Sequence, residues 1–584
     1  MSVAIKLPIL TGCVLMATAL VAKEYIIEAP DGVGDVVALT NAFKKSHYAS
    51  TAVKILLKPG VYDLSGIKMD GSRHLLCYAL KATSVIAGLG TTPGDTVLLG
   101  GGATDNCRIM DLYGGDVTVS NLTVTGGYLS GNSDGAGING GPNVCYRHLI
   151  VSNNYAKGSG GGGAGGCMKG SAYNCIFVDN RTGKYGAALY VDSNECGAWD
   201  CVFSNNVAAS HGGAFYATSA CTTGYLQNCE FHCNVGAGGS GAYIGGSACV
   251  SNCVFKGNRY DGTDGYATRG GGLYIAKGVC CDSEFVENAS DGGGGLYVDS
   301  GEALVSKCLF EKNRQTGWGS GAAVFVNAAR PLATVSNCVF NFNISTNYSS
   351  RTIVSNADLV DCVVTNHYVD GAVLQNCNLT RCFVADNVST VGSGVDLDDV
   401  KTEDIGKMSR TNVNCVFVGN HLTATTVTTG DKIVINCTYY SNRLDSSNFG
   451  VPVSNCRVWN SLFADNIVAG VKRDMRRFDH QGNVIQRYLT NCVFKTVLSD
   501  FDVNADGYHN CKVAPNFKFT LTADGGEYDI KKTSPAFNAG VLEEWMLPLL
   551  GGCDFAKRQR IKYDTIDVGA LECQFAPPFA VILR

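Results

Sequence analysis

A short pattern of apolar and polar positions recurs along the chain, as in "NCVFKGN" at 252–258, with related segments beginning at 174, 200, 228, 307, 337, 414 and 436. A cysteine and an aromatic residue stand two positions apart, so in a β-strand their side chains lie on the same face. The residue between them varies among Ile, Val, Leu, Glu and Thr, which indicates a solvent-facing position. Each segment therefore predicts a short strand whose cysteine and aromatic ring face inward.

The polar residue that ends each segment gives the period of the repeat, which varies from 20 to 33 residues. Strands that recur at this distance, with turn-forming residues between them, predict a solenoid of stacked coils. In such a stack each asparagine tolerates left-handed backbone at the turn and passes amide hydrogen bonds to the next coil. The marker positions are Asn153, Asn180, Asn206, Asn234, Asn258, Asn288, Asn313, Asn343, His367, Asn387, Asn420, Asn442 and Asn466.

A glycine-rich segment follows several of these markers, as in "GGGLYI" at 270–275 and "GGGGLYV" at 292–298. Glycine permits a tight bend and the close approach of neighbouring coils. Aliphatic residues flank an aromatic one, so alternation turns the aliphatic side chains inward and the aromatic ring outward. One ring per coil predicts an outer aromatic row with a spacing of about 4.8 Å. Its members are Tyr190, Tyr216, Tyr243, Tyr274, Tyr297 and Phe325.

The alternating F-x-x-N and G-G-A-[ILV] segments resemble the repeats of chlamydial polymorphic outer-membrane proteins and, more broadly, right-handed parallel β-helix proteins of the pectin-lyase-like superfamily. The stretch "GDVVALTNAFKKS" at 34–46 resembles the helix that caps such a solenoid, with Val36, Leu39 and Phe43 on one face. "TSPAFNAG" at 533–540 and "DTIDVGALEC" at 564–573 resemble a terminal β-helix module of secreted bacterial proteins. The resemblance implies an all-β, right-handed parallel β-helix with a short N-terminal capping helix.

These features predict a signal peptide at 1–22, an N-terminal cap with the first coils at 23–130, the repeat β-helix at 131–510 and a C-terminal β-helix or capping module at 511–584. The apolar run from Leu7 to Ala22 is short for a membrane span and ends in small residues, as export signals do. We therefore expect a secreted or outer cell-surface protein with no transmembrane segment after signal removal.

Net charge and cysteine content limit the partners and the disulfides that are expected. The net charge of −5 over 584 residues argues against a nucleic-acid partner. The 27 cysteines would suggest disulfides in an exported protein. Cysteines stacked in parallel coils, however, would have Cβ atoms about 4.8 Å apart, too far for a bridge, so free thiols are expected along the stack. Bridges are more plausible among cysteines outside it, namely Cys221, Cys249, Cys280, Cys553 and Cys573.

The acidic run "VDLDDVKTED" at 395–404 is the strongest candidate for catalysis. It holds Asp396, Asp398 and Asp399, and Arg410 follows it. Paired carboxylates can act as general acid and base, or bind Ca²⁺ for a lyase that uses arginine as its base. The competing interpretation, which the sequence favours, is a solvated loop.

Calcium is the one cofactor for which the sequence offers a candidate site. "DVNADG" at 502–507 places Asp502, Asn504 and Asp506 at alternating positions before a glycine, as calcium-binding loops do. The twelfth position is Val513 rather than glutamate. A plain turn is therefore the competing interpretation.

Three function classes fit these features. The aromatic row could bind an extended polysaccharide or a glycan on a host or neighbouring cell, unless its rings stack on one another or lie under loops. A polysaccharide lyase or glycoside hydrolase of the superfamily is the second class, and a structural envelope or matrix component is the third. The sequence favours a non-catalytic, adhesin-like or polysaccharide-binding protein that uses the outer face of the solenoid.

Overall fold

The computed structural model describes residues 22–573 apart from internal gaps. These gaps lie at 48, 50, 72, 78–83, 113–115, 141–142, 159–167, 170, 193–195, 261–267, 318, 328–331, 347–351, 391–393, 399–409, 424–425, 446–449, 477–487, 498–500, 516–533 and 562–564. Nearly all of the predicted export signal thus lies outside the described residues. Within the described part of the chain, no helix has the length and apolar character needed to span a bilayer.

A capping helix, Val36–Ser46, lies near the N-terminal end of the described chain. The carboxylate of Asp35 accepts a hydrogen bond from the backbone N–H of Ala38 at 2.8 Å and so starts the helix. Leu39 and Phe43 are fully buried in the main core, as predicted. The other described helical segments are Pro30–Gly32, Pro93–Asp95, Gly102–Thr104, Glu544–Met546 and Leu547–Leu550.

Parallel strand series run along the molecule, and in the repeat region each coil adds a strand to three of them. The cysteine strands are Gly60–Asp63, Thr96–Leu99, Val117–Thr125, Val144–Ser152, Ile176–Val178, Val202–Ser204, Glu230–His232, Val254–Lys256, Glu284–Val286, Leu309–Glu311, Val339–Asn341, Val363–Thr365, Phe383–Ala385, Val416–Val418, Thr438–Tyr440, Leu462–Ala464, Val493–Phe494 and Lys512–Val513. The tyrosine strands are Arg73–Cys77, Arg108–Leu112, Ile138–Asn139, Met168–Lys169, Leu189–Val191, Phe215–Ala217, Ala242–Ser251, Leu273–Cys281, Leu296–Val298, Val324–Val326, Val354–Ser355, Leu374–Gln375, Asp396–Leu397, Thr426–Thr429 and Val451–Ser454.

The third series, the bridging strands, precedes the cysteine strand in each coil. Its members are Lys23–Ile27, Val53–Leu57, Ser84–Gly88, Val117–Thr125, Val144–Ser152, Ser171–Tyr173, Cys196–Trp199, Thr223–Gln227, Ala242–Ser251, Leu273–Cys281, Ala303–Ser306, Ala333–Ser336, Ala357–Val360, Asn378–Thr380, Thr411–Val413, Ile433–Ile435, Arg457–Trp459, Tyr488–Thr490 and Tyr508–His509. Corner strands lie at Tyr128–Leu129, Tyr155–Ala156, Arg181–Thr182, Val207–Ala208, Ala289–Ser290, Arg314–Gln315, Ile344–Ser345, Tyr368–Val369, Val388–Ser389, His421–Leu422, Arg443–Leu444, Ile467–Val468 and Val471–Lys472.

The inward-facing side chains of these strands form one long core. Phenylalanines stack face to face from Phe177 to Phe340, as in the pair Phe203–Phe231, whose ring centroids are 4.7 Å apart. A second stack runs from Phe417 to Phe494. The predicted fold class, an all-β parallel solenoid, is therefore confirmed by its strand register.

The asparagine markers form a hydrogen-bonded ladder inside the corner. The backbone N–H and the Nδ2 of Asn258 both donate to Oδ1 of Asn288, each at 3.0 Å. The same Nδ2 donates to the carbonyl of Phe231, and Oδ1 of Asn258 accepts both donors of Asn234. Because every donor and acceptor of the amide is satisfied, the side chain can be buried without penalty. The ladder ends at Asp474, whose carboxylate accepts both donors of Asn466.

Two details of the predicted ladder were wrong. Its first member is Asn154, which is buried and bonded to Asn180, rather than Asn153. Left-handed backbone falls on the residue before the ladder position, as at Asn153 with φ 52° and Lys312 with φ 53°, and not on the ladder asparagine itself. The residue with left-handed backbone thus immediately precedes the asparagine whose side-chain amide links neighbouring coils.

The buried cysteines form a second ladder. The Sγ of Cys201 accepts from the backbone N–H of Cys175 at 3.4 Å, and Sγ of Cys175 donates to the carbonyl two residues earlier. Where serine replaces cysteine, at Ser283, its hydroxyl makes both bonds in the same way. The described ladder cysteines are free thiols, as predicted.

The bridges expected outside the stack are not formed, because Cys221, Cys249, Cys280, Cys553 and Cys573 also carry thiols rather than disulfides. Cys249 is exposed, whereas Cys280 is buried opposite Val250, so the two thiols lie on opposite faces of the sheet. Cys221 is buried and donates to the carbonyl of Thr223.

We expect alkylation of the native protein to distinguish its exposed thiols from the buried thiols of the ladder. Burial raises the pKa of Cys229 and of Cys415 far above the ordinary value, whereas Cys233 and Cys249 are exposed. Peptide mass spectrometry after brief iodoacetamide treatment should find label on Cys233 and Cys249 and almost none on the ladder, with complete labelling after denaturation. Equal labelling of both groups would contradict the buried ladder.

The position between the cysteine and the aromatic ring was expected to face solvent in every coil, and this prediction is confirmed only for some coils. Ile176, Glu230 and Val339 are exposed, but Leu462 and Val493 are buried. These two belong to a cluster with Ala536, Val568 and Leu571 of the C-terminal segment. The backbone N–H of Ala570 also donates to Oγ1 of Thr438 at 3.0 Å. The C-terminal segment thus covers the outer face of the later coils.

The described C-terminal residues therefore lie along the side of the solenoid. The side chain of Asn460 bonds both the N–H and the carbonyl of Val541, at 2.9 and 2.8 Å. Inside the segment, the guanidinium of Arg560 is fully buried and donates to the carbonyls of Asp567 and Gly569. Burial raises the pKa of Glu572, beside Arg560, to about 8. Residues of the stretch "DTIDVGALEC" at 564–573 thus hold this segment together.

Candidate binding face

The predicted aromatic row exists and keeps strict register. Tyr190, Tyr216, Tyr243, Tyr274, Tyr297 and Phe325 pair across successive tyrosine strands. Their neighbouring ring centroids are 5.5, 4.9, 4.2, 5.2 and 5.4 Å apart. The ring faces therefore lie against one another, which was the competing interpretation, and the row presents ring edges and hydroxyl groups instead.

Burial varies along the row. Tyr190, Tyr274 and Tyr297 are 4%, 6% and 3% exposed, whereas Tyr216, Tyr243 and Phe325 are half-buried. The flanking aliphatic side chains, such as Leu273 and Ile275, point into the core as expected. The accessible part of the row thus consists mainly of its half-buried members.

Glycine at the corner before each ring is required by two constraints. Gly212 has φ +64° and Gly321 has φ +77°, a backbone conformation that other residues rarely adopt. A Cβ atom on Gly212 would lie 2.8 Å from Cβ of Tyr216, and one on Gly321 would lie 2.7 Å from Cβ of Phe325. The repeated glycines therefore make room for the row.

Other side chains form a second layer over the rings. Tyr185 stacks on Tyr216 with a centroid distance of 4.9 Å, and His211 stacks on Tyr243 at 5.2 Å. The guanidinium of Arg269 lies 5.4 Å from the ring centroid of Tyr297. Burial lowers the pKa of His211 and Arg269 lowers it further, so its imidazole is neutral at physiological pH.

Carboxylates border the tyrosine hydroxyls. Burial raises the pKa of Tyr190 to about 12, with a further contribution from Asp192. Burial likewise raises the pKa of Tyr297 to about 12, with Arg269 opposing the shift. Asp299 adds to the raised pKa of Tyr274 through its charge and a side-chain hydrogen bond. The hydroxyls therefore stay protonated and can donate hydrogen bonds beside acidic acceptors.

A second aromatic stack, which the sequence analysis missed, lies on the outer face of the bridging strands. The guanidinium of Arg147 lies 4.4 Å from the ring centroid of Tyr173. Tyr173 stacks on Trp199 at 4.7 Å, and Trp199 on Tyr225 at 5.9 Å. All three rings are half-buried. The signal was the alternation with buried Ala172, Ala198 and Leu226, which turns these rings outward.

The candidate catalytic residues lie mostly inside the coil. Asp396 is fully buried and contacts Lys432 and Asn412. Asp398 forms an ion pair with Arg410 at 3.2 Å, and both side chains are about as buried as core residues, 5% and 4% exposed. Asp399 lies outside the described residues. A catalytic role for this group stays a prediction.

The candidate calcium residues form a turn. The carboxylate of Asp502 accepts from the backbone N–H of Asn504 at 2.9 Å, and the side chains of Asp502, Asn504 and Asp506 are exposed. A search of the described residues found no cluster of three or more His, Cys, Asp or Glu side chains able to hold a metal ion. Calcium binding here stays a prediction.

No protein-family model and no curated protein matches the sequence. Solved structures with a similar fold include the A-module of a mannuronan C-5 epimerase from Azotobacter vinelandii, at 14% identity over 77% of this chain and 96% of that one, with a TM-score of 0.21. A PL6 family alginate lyase shares 12% identity over 81% and 84% of the two chains, with a TM-score of 0.32. The tailspike protein of an E. coli bacteriophage shares 12% over 75% of each chain, with a TM-score of 0.31. These values identify neither a ligand nor a reaction for this chain.

Proposed function

We propose that the chain is a secreted or cell-surface protein that binds an extended polysaccharide, without cleaving it, along the outer faces of its tyrosine and bridging strands. The observation that supports this proposal is the tyrosine row, with one ring per coil from Tyr190 to Phe325, together with the stack of Tyr173, Trp199 and Tyr225 on the bridging strands. A linear polymer that lies along the same axis meets one aromatic ring in each successive coil from Tyr190 to Phe325.

The two rows offer complementary contacts to sugars. The half-buried rings of Tyr173, Trp199 and Tyr225 provide apolar surface for the C–H groups of sugar rings. Tyr243 and neighbouring row members provide hydroxyl donors, and Asp299 provides an acceptor beside them. Polysaccharides combine apolar ring faces with many hydroxyl groups, so they match this mixture of contacts.

We expect the double variant Tyr173→Ala/Trp199→Ala to bind its polysaccharide at least about tenfold more weakly, because two aromatic contacts are lost. The variant Tyr243→Phe should lose about fivefold, equivalent to one hydrogen bond of about 1 kcal/mol. Affinity electrophoresis in gels that contain each polysaccharide of a panel measures both effects. Tyr488→Ala is the matched control, because Tyr488 is an exposed aromatic residue of the same strand series outside both rows. Unchanged retention of the row variants would contradict the proposal.

The same panel separates binding from catalysis. Each polysaccharide is incubated with the protein, with and without calcium, and unsaturated and reducing ends are measured. Retention without the release of new ends is the expected result. Release of ends that Asp398→Asn abolishes would instead identify a polysaccharide lyase or hydrolase.

A further inference from the structure

A triad of polar side chains is enclosed in the solenoid interior, apart from both aromatic rows. Lys432, Asp396 and Asn412 are each 0% exposed. The Nζ atom of Lys432 lies 2.5 Å from Oδ1 of Asp396 and 3.5 Å from Oδ1 of Asn412. The other carboxylate oxygen, Oδ2, accepts a hydrogen bond from Nδ2 of Asn412 at 2.7 Å. One carboxyl group therefore touches both the amine and the amide nitrogen.

The groups that surround the triad are buried as well. The Nζ atom also donates to the carbonyl of Cys377 at 3.1 Å, and Cys377 and Cys456 are themselves buried. Moving an ammonium and a carboxylate out of water into such an interior costs free energy. A neutral lysine amine is a nucleophile, and the side-chain amide of Asn412 lies within its reach, with Oδ1 3.5 Å from Nζ.

We propose that Lys432 and Asn412 join in a covalent amide bond, with Asp396 transferring the protons. One proton first passes from Nζ to Asp396, and the lone pair of the resulting neutral amine then attacks Cγ of Asn412 and forms the new C–N bond. Asp396 accepts the proton that Nζ gives up and supplies its own proton to Nδ2, which lies within hydrogen-bond distance of Oδ2. The Cγ–Nδ2 bond breaks and ammonia leaves. Amine and amide give amide and ammonia, so the step needs no oxidant, cofactor or energy source.

The bond would join two neighbouring coils. Asn412 pairs with Val434 across the bridging strands, and Lys432 lies two residues before Val434. The link closes next to the longest spacing between ladder residues, from Asn387 to Asn420. A covalent tie there would resist the separation of these two coils.

Peptide mass spectrometry of the purified full chain tests the proposal. Cleavage before aspartate gives the fragments 404–430 and 431–444, which carry Asn412 and Lys432 respectively. We expect them as one branched peptide whose mass is the sum of the two fragments minus one ammonia. Trypsin should also fail to cut after Lys432. The exposed pair Lys277–Glu302, 3.3 Å apart in solvent, serves as an internal control and should stay unlinked.

The variant Asp396→Asn keeps the shape of the side chain and removes the proton carrier, so its two fragments should be found separately. Circular dichroism and protease resistance establish that this variant is folded, and Lys432→Arg provides a second unlinked form. Wild-type fragments that remain separate after prolonged incubation of the folded protein would overturn the proposal. Equal linkage in wild type and Asp396→Asn would overturn the role of Asp396.

Discussion

Replacing Asn258 by alanine is expected to lower the free energy of unfolding by about 3–6 kcal/mol, a large loss for a single side chain. The change removes the hydrogen bonds that the Asn258 side chain makes to Asn234, Phe231 and Asn288. It leaves the N–H of Asn234 and the carbonyl of Phe231 buried without these partners. Each such loss costs about 1–3 kcal/mol. Chemical denaturation followed by circular dichroism measures the effect.

The control for this experiment is Asn228→Gly. Asn228 is exposed and has φ 53°, so glycine fits its backbone, and only surface hydrogen bonds to Asp200 and Asn252 are lost. We expect a change within about 0.5 kcal/mol. If Asn258→Ala were as mild as this control, the amide ladder would contribute little to the cohesion of the coils.

The second large effect is a loss of folding stability at low pH. It arises at His367, which replaces asparagine in the ladder. Its Nδ1 accepts from the backbone N–H of Asn343 at 3.0 Å, so the neutral ring carries its proton on Nε2, which has no partner among the described residues. Burial lowers the pKa of His367 to about 3. Because this value lies below the unfolded value of about 6.5, the stability that the neutral ring confers is complete above pH 6.5 and declines as the pH falls towards 3.

The expected loss is about 2 kcal/mol at pH 5 and about 4 kcal/mol at pH 3. The variant His367→Asn should remove it, because an amide there can bond Asn343 and Asn387 as the other ladder members do. Burial also raises the pKa of Asp474 to about 6, but Asp474 titrates in both proteins, so the difference between their denaturation curves isolates His367. Identical pH dependence of the two proteins would show that His367 does not titrate as described.

Much of the solenoid follows from the local alternation of side chains. The positions of Cys253 and Phe255 two residues apart were enough to place both in the core. The same reasoning selected the wrong one of the adjacent asparagines at 153 and 154, because only the backbone geometry decides which side chain turns inward. The sequence did not predict that the C-terminal segment covers the later coils. The position between the cysteine and the aromatic ring changes from Glu230 to Leu462, and this change is explained only by the contact with Val568, which is distant in sequence.

The candidate site likewise combines features that the sequence predicts with features that it does not predict. Register made the tyrosine row predictable, but the competing interpretation of its ring faces could be decided only by side-chain geometry. Asp396 belongs to an acidic run that is typical of a solvated loop, and its burial depends on the partner Lys432, which is 36 residues away in sequence. Such long-range pairs carry no local signal.

The central claim, that the coils form one continuous hydrogen-bonded stack, is tested most directly by amide hydrogen exchange of the mature chain, measured by mass spectrometry at the level of single residues. We expect the backbone N–H groups of the ladder residues from Asn154 to Asn466 to exchange among the slowest in the molecule, in a regular series from coil to coil. Fast exchange at these positions, or protection confined to a few separate blocks of the chain, would contradict it.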